Sequence, residues 1–66
     1  MVKGTILWFS PEKRYGFILS ENEEQIFVHQ NELEPDYSPS ENDEVKFDVM
    51  EGDRGKYAVN VKLVND

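Results

Sequence analysis

Two short runs, Tyr15-Gly16-Phe17-Ile18 and Ile26-Phe27-Val28-His29, place ring side chains at every second position, and no other feature constrains the chain so tightly. Successive side chains of a strand point to opposite faces. As strands, these runs therefore put Tyr15, Phe17, Phe27 and His29 on one face and Ile18, Ile26 and Val28 on the other. One face is aliphatic and suits a core. The other carries flat rings, which suit the stacking of unpaired nucleic-acid bases. Burying the rings instead would expose all three β-branched residues, so the parity favours an aliphatic interior.

The chain is 66 residues long, enough for one domain over residues 1–66. A domain this small buries roughly 60% of the surface its unfolded chain exposes, and its net stability is expected near 3–5 kcal/mol, on the order of what one small core supplies. Cysteine is absent, which removes a disulfide framework, a thiolate nucleophile and thiolate metal ligands and fits a reducing compartment. The longest apolar run, Ile6-Leu7-Trp8-Phe9, falls far short of a membrane span or a signal-peptide core. A soluble, cytoplasmic protein is expected, with no membrane association.

The remaining segments read as strands separated by polar turns. Residues 2–9 are strand-like, Ser10-Pro11-Glu12-Lys13 is a turn, residues 15–19 form the second strand, and residues 20–25 form a polar loop. The third strand covers residues 26–30. Residues 31–44 hold Pro35 and Pro39 among many acids and read as a long loop with one short turn of helix near Glu32 and Leu33. Residues 45–49 alternate as strand four, with Phe47 inside alongside Val45 and Val49. Residues 51–55 form a turn, and residues 57–64 form strand five. Five short antiparallel strands with one long connection predict an all-β, five-stranded antiparallel barrel of the oligonucleotide-binding (OB) type, because closure removes exposed sheet edges. An SH3-like barrel is the structural alternative. Trp8 is flanked by Leu7 and Phe9, and a bulge there would decide which neighbour turns inward.

Charge argues first against nucleic acid. Fourteen acidic residues against seven basic ones give a net charge of −7, whereas a binder that relies on phosphate contacts should be basic. The acids crowd the two middle loops, however, while Lys13, Arg14, Arg54 and Lys56 fall in the turns beside the aromatic segments. That distribution leaves room for a face that binds by stacking.

The segment Trp8-Phe9-Ser10-Pro11-Glu12-Lys13-Arg14-Tyr15-Gly16-Phe17-Ile18 resembles the first ribonucleoprotein-type motif of bacterial cold-shock proteins, and Ile26-Phe27-Val28-His29 resembles their second. Glu51-Gly52-Asp53-Arg54-Gly55, followed by Ala58-Val59-Asn60-Val61, is similar to the last hairpin of that family. The resemblance spans nearly the whole chain. It implies a five-stranded cold-shock domain that binds single-stranded RNA and DNA with little sequence preference and acts as an RNA chaperone and antiterminator. Residue by residue, it assigns base stacking to Trp8, Tyr15, Phe17, Phe27 and His29, with Phe9 at the border, and backbone or edge contacts to Lys13 and Arg54. Arg14 and Lys56 join as phosphate donors. Some positions depart from the family. Leu7 stands where the family often has lysine, Arg14 where it usually has glycine, and Gln30 where a further aromatic is common. The loop after Leu33 is about two residues shorter, and Tyr37 is the candidate replacement for its aromatic.

A second functional reading is a small interaction barrel whose rings meet an apolar or proline-rich peptide. An enzyme has the least support: there is one histidine, no cysteine and no nucleophile–base pairing, so no catalytic residue is assigned. A lone His29 is likewise a poor metal ligand. No cofactor or metal is expected, and the expected state is a monomer.

Overall fold

The computed structural model describes residues 1–64. It contains five strands, β1 (Val2–Ser10), β2 (Tyr15–Ser20), β3 (Gln25–His29), β4 (Glu44–Gly52) and β5 (Gly55–Leu63), with a single 3-10 turn at Gln30–Glu32. The strands close into a barrel in the order β1-β2-β3-β5-β4. Four seams are antiparallel, but β3 and β5 run parallel, with Phe27 opposite Tyr57 and Val28 opposite Ala58. The reading of uniformly antiparallel strands is corrected at this seam. The reason is arithmetic: an odd number of strands cannot alternate direction all the way round a closed ring.

The interior is aliphatic, as the alternation requires. Ile6, Ile18, Ile26, Val28, Val45, Phe47, Ala58 and Val61 form the buried core, and Phe47 is its one large ring. Val2, Phe9, Leu33, Tyr37 and Val49 pack against it from partly buried positions. Burial of such side chains, at roughly 25 cal/mol per Å² of apolar surface, is the main favourable term for a chain of this size.

Two irregularities decide which side chains reach the outside. On β1, Ile6 pairs with Ile18 but Trp8 pairs with Phe17, so Leu7 is an extra residue in the strand. This bulge reverses the parity. Ile6 points inward, whereas Trp8, two residues later, points outward and is 40% exposed. On β5 a second register shift lies between the pairs Lys46–Lys62 and Asp48–Val59, and Asn60 adopts φ +54° within it. Ala58 and Val61, three residues apart, can therefore both be buried.

The β1–β2 corner is tight. A Cβ on Gly16 would lie 2.2 Å from the Trp8 carbonyl oxygen and 2.7 Å from the Phe9 Cα, so only glycine lets the two strands approach there. The β4–β5 turn is shorter than the expected five residues, because both strands extend until Gly52 pairs with Gly55 and only Asp53 and Arg54 remain between them. Gly55, directly after the turn, adopts φ +116°, a conformation open to glycine at no steric cost.

The long middle segment is tied down rather than loose. Asn42 N–H donates to the Ile6 carbonyl (2.8 Å), and Ile6 N–H donates to the Asp43 carbonyl (2.9 Å), so the loop pairs with β1 at its far end. The Asp43 carboxylate accepts from the Tyr37 hydroxyl (2.8 Å) and from Ser40 N–H (3.0 Å). Leu33 forms a parallel bridge to Val61. The short helical turn falls at Gln30–Glu32, slightly ahead of its expected place near Glu32 and Leu33.

Candidate nucleic-acid interface

Strand pairing, not loop geometry, builds the ring face. Trp8 lies opposite Phe17, Phe17 opposite Phe27, and Phe27 opposite Tyr57, so one lateral row crosses β1, β2, β3 and β5. One step along the strands, Tyr15 lies opposite His29. The rings also touch. Centroids are 5.6 Å apart for Trp8–Phe17, 5.8 Å for Phe17–Phe27, 5.6 Å for Tyr15–Phe27 and 5.9 Å for Trp8–Tyr15, which closes a four-membered circuit. Interplanar angles range from 36° to 80°, the tilted and edge-to-face geometry that aromatic pairs prefer over face-to-face stacking. Each ring thus braces its neighbour while all remain at least partly exposed. Side chains held in this way lose little further freedom when a planar ligand binds.

His29 is fixed from below. Its Nδ1 accepts the Asn31 N–H at 3.1 Å, capping the 3-10 turn, which leaves the ring's Nε2 as the N–H donor. Arg14 closes the turn between β1 and β2. Its N–H donates to the Ser10 carbonyl (2.7 Å), its carbonyl accepts from Gln30 N–H (2.9 Å), and its φ is +66°. A left-handed backbone explains why glycine suits this position.

At the other end of the row, a cleft of about 690 Å³ is lined by Phe17, Gln25, Phe27, Arg54, Lys56 and Tyr57, together with Gly52, Asp53 and Gly55. Lys56 Nζ reaches across to the Glu24 carboxylate at 3.0 Å. That hydrogen bond, reinforced by the charges of Glu24 and Glu51, raises the Lys56 pKa. The cation is exposed and stays charged.

The fold gathers most of the expected site residues. Trp8, Tyr15, Phe17, Phe27 and His29 share the outer face, Arg54 and Lys56 stand at the cleft, and Lys13 and Arg14 occupy the exposed β1–β2 turn. Phe9 pairs with Gly16 and packs, partly buried, against the core at the border of the face. Tyr37 is set apart: its ring packs on the core and its hydroxyl is engaged by Asp43. Burial first, and then the Asp43 carboxylate, push the Tyr37 hydroxyl above the usual phenol range. Tyr57 was not singled out from the sequence, although it lies beside Ala58 in a run whose parity puts the small residue inside. What was missing was the knowledge that β5 neighbours β3.

Among the described residues, no three of His, Cys, Asp and Glu gather so as to hold a metal ion, and no helix is long and apolar enough to cross a membrane.

The family model described as "'Cold-shock' DNA-binding domain" matches residues 2–64. Among curated relatives, Cold shock protein CspA of Staphylococcus haemolyticus (strain JCSC1435) is 46% identical over 63 residues, covering 92% of this chain and 96% of the relative. The protein of the same name from Staphylococcus aureus (strain USA300) shows the same identity and coverage. That from Staphylococcus saprophyticus is 44% identical over 63 residues. None of these names is that of an enzyme. A solved structure, drosophila Unr CSD456, superposes with a TM-score of 0.81 at 26% identity, over 97% of this chain and 26% of that longer chain.

Proposed function

This chain belongs to the cold-shock domain family, whose description is one of nucleic-acid binding, and from that premise we propose that it binds unpaired RNA and DNA by stacking bases on its outer ring face and so acts as an RNA chaperone. The observation that carries this reading is the row Trp8–Phe17–Phe27, set in strand register over a core of Ile6, Ile18, Ile26 and Val28. Trp8, Tyr15, Phe17, Phe27 and His29 offer ring faces, and Lys13, Arg14, Arg54 and Lys56 offer phosphate contacts. Phe9 holds the border of the patch. One cold-shock domain, working as a cytoplasmic monomer without metal or cofactor, suffices for this activity.

Stacking accepts any base, so sequence preference is low. Bases in a duplex are already stacked, and an acidic protein has little phosphate attraction with which to hold the outside of a helix. A protein that binds only the open form of a hairpin shifts the equilibrium toward it by mass action, with no need for ATP. In a nascent transcript the same shift disfavours terminator hairpins, which links the chaperone reading to antitermination.

The test combines two measurements. Trp8 fluorescence is expected to quench with oligo-dT but not with duplex or a proline-rich peptide; the reverse preference would favour a protein-interaction barrel. The melting temperature of a weak hairpin is expected to fall as protein is added, and to change little with the Phe17→Ala/Phe27→Ala variant. A melting temperature that does not move at protein concentrations saturating single strands would reject the chaperone mechanism.

A further inference from the structure

The ring row does not stop at β3. Tyr57 on β5 lies directly opposite Phe27 across the parallel seam, and Met50 on β4 lies directly opposite Tyr57. Cross-strand partners share a face, so both side chains continue the row. Met50 is 50% exposed, which places it outside with the rings. The four ring contacts of Trp8, Tyr15, Phe17 and Phe27 close on one another without Tyr57. Between the two groups lies the cleft, with Phe17 and Phe27 on one wall and Tyr57 on the other. Its volume falls in the range of about 300–1,000 Å³ typical of ligand clefts.

Three neighbours suit this cleft to a nucleotide. The Tyr57 ring lies over Gly52, where a Cβ would approach its Cε1 to 3.1 Å, so the ring has a defined seat. Arg54 lines the same cleft and can meet a phosphate, whereas the Lys56 ammonium is turned to the other face of β5, where it meets Glu24. Gln25, also in the lining, carries both an amide donor and an acceptor for a base edge.

We infer that Tyr57 forms an additional nucleobase subsite, extending the stacking row from β3 across the parallel seam onto β5, with Met50 at its far edge and Arg54 holding the phosphate of the same nucleotide. The inference rests on the reading that the ring face binds unpaired strands, and it adds one base to the footprint of that face. A phenol ring stacks on any base, so the subsite lengthens the bound strand without reading its sequence. The thioether of Met50 is polarizable and flexible enough to pack against whatever ring enters.

The experiment is a titration of Trp8 fluorescence with oligo-dT lengthened one nucleotide at a time, using wild type, Tyr57→Ala, Tyr57→Phe and Phe17→Ala. Affinity for the longest oligomer is expected to fall roughly 5- to 150-fold in Tyr57→Ala, the loss of one base–ring stack, and the profile to level off one nucleotide earlier than in wild type. Short oligomers should bind equally to both, and Tyr57→Phe should keep the wild-type profile. A Tyr57→Ala profile that superimposes on wild type, while Phe17→Ala weakens binding, would overturn the subsite and leave the stacking face intact. Wild type that binds no oligo-dT at any length would remove both. Photocrosslinking of the unmodified protein to oligo-dT carrying a terminal 5-iodouracil gives an independent reading should Tyr57→Ala fold poorly. An adduct on Tyr57 supports the subsite, and adducts confined to β1, β2 and β3 reject it.

Discussion

Trp8 stands opposite Phe17, not opposite Gly16, because Leu7 is an extra residue in β1. Straight pairing on from Ile6–Ile18 would have placed Trp8 on the inner face, at the corner where Gly16 leaves no room for a Cβ. Deleting Leu7 removes the extra residue, makes Trp8 the direct neighbour of Ile6 and keeps it opposite Phe17 on the outer face, so the shortened chain should still fold with Trp8 accessible. Leu7→Ala keeps the bulge and should cost about 1–2 kcal/mol at most, in keeping with a half-buried side chain. Urea unfolding and acrylamide quenching of Trp8 report both effects. A Leu7 deletion that folds with Trp8 shielded from acrylamide would show that Leu7 is not the residue that sets its direction.

Binding and folding should separate by strand face. Phe17→Ala or Phe27→Ala should weaken oligo-dT binding by about 1–3 kcal/mol per lost stack. Ile18→Ala or Val28→Ala should instead cost about 2–5 kcal/mol of stability, most of what a 66-residue domain has. Because Trp8, Tyr15, Phe17 and Phe27 brace one another, the ring variants will also lose some stability, but less than the core variants. If Phe17→Ala unfolded the domain while Ile18→Ala left it intact, the assignment of faces would be reversed.

Arg14 combines a strained backbone with a useful charge. Its φ of +66° costs a non-glycine residue roughly 1 kcal/mol, so Arg14→Gly should raise the urea midpoint while lowering affinity for single strands. Arg14→Ala separates the two effects: it removes the charge but keeps the strain, and should lose affinity with no gain in stability. Unchanged affinity in both variants would remove Arg14 from the interface.

The parts of the site legible in the sequence were those set by local alternation. Tyr15, Phe17, Phe27 and His29 share a face because β2 and β3 are regular where these residues lie, and Phe47 is buried because it alternates with Val45. Where a strand gains a residue the alternation no longer reports the face, as at Leu7 and near Asn60. Adjacency of strands distant in sequence was likewise hidden. Tyr57 joins Phe27 only because the barrel closes through a parallel seam, and no pattern within residues 55–63 encodes that neighbour. Tyr37 shows a third limit. Nothing local in residues 31–44 discloses that a carboxylate six residues away accepts its hydroxyl.

That hydroxyl predicts a pH dependence. Tyr37 is held protonated in the folded state, above the value of about 10 for a free phenol. Its contribution to stability is fully present below that pH and declines as pH rises beyond it, because the unfolded chain releases the proton first. Tyr37→Phe should abolish this part of the alkaline loss, cost about 1 kcal/mol near neutral pH, and leave oligo-dT affinity unchanged. Because phenylalanine keeps a stacking ring, the interface role is read from Tyr37→Ala, whose loss of affinity at full folding would place the ring against the bound strand.

Salt dependence tests how far stacking, rather than charge, carries the affinity. With Lys13, Arg14, Arg54 and Lys56 as the available donors, the slope of log affinity against log salt should correspond to about two to four phosphate contacts at roughly −0.7 each. Lys56 does not enter that count freely, because Glu24 already occupies it at 3.0 Å. The pair is exposed at both ends, so it adds little to stability, but a strand phosphate must displace the carboxylate before using the cation. Glu24→Gln should raise affinity at low salt and steepen the slope by about 0.7, one contact's worth. Lys56→Gln should make the slope shallower, and the double variant should match Lys56→Gln alone if Glu24 acts through Lys56. A double variant that still gained affinity would mean that Glu24 repels the strand directly, and a wild-type slope of about six contacts or more would contradict binding dominated by stacking.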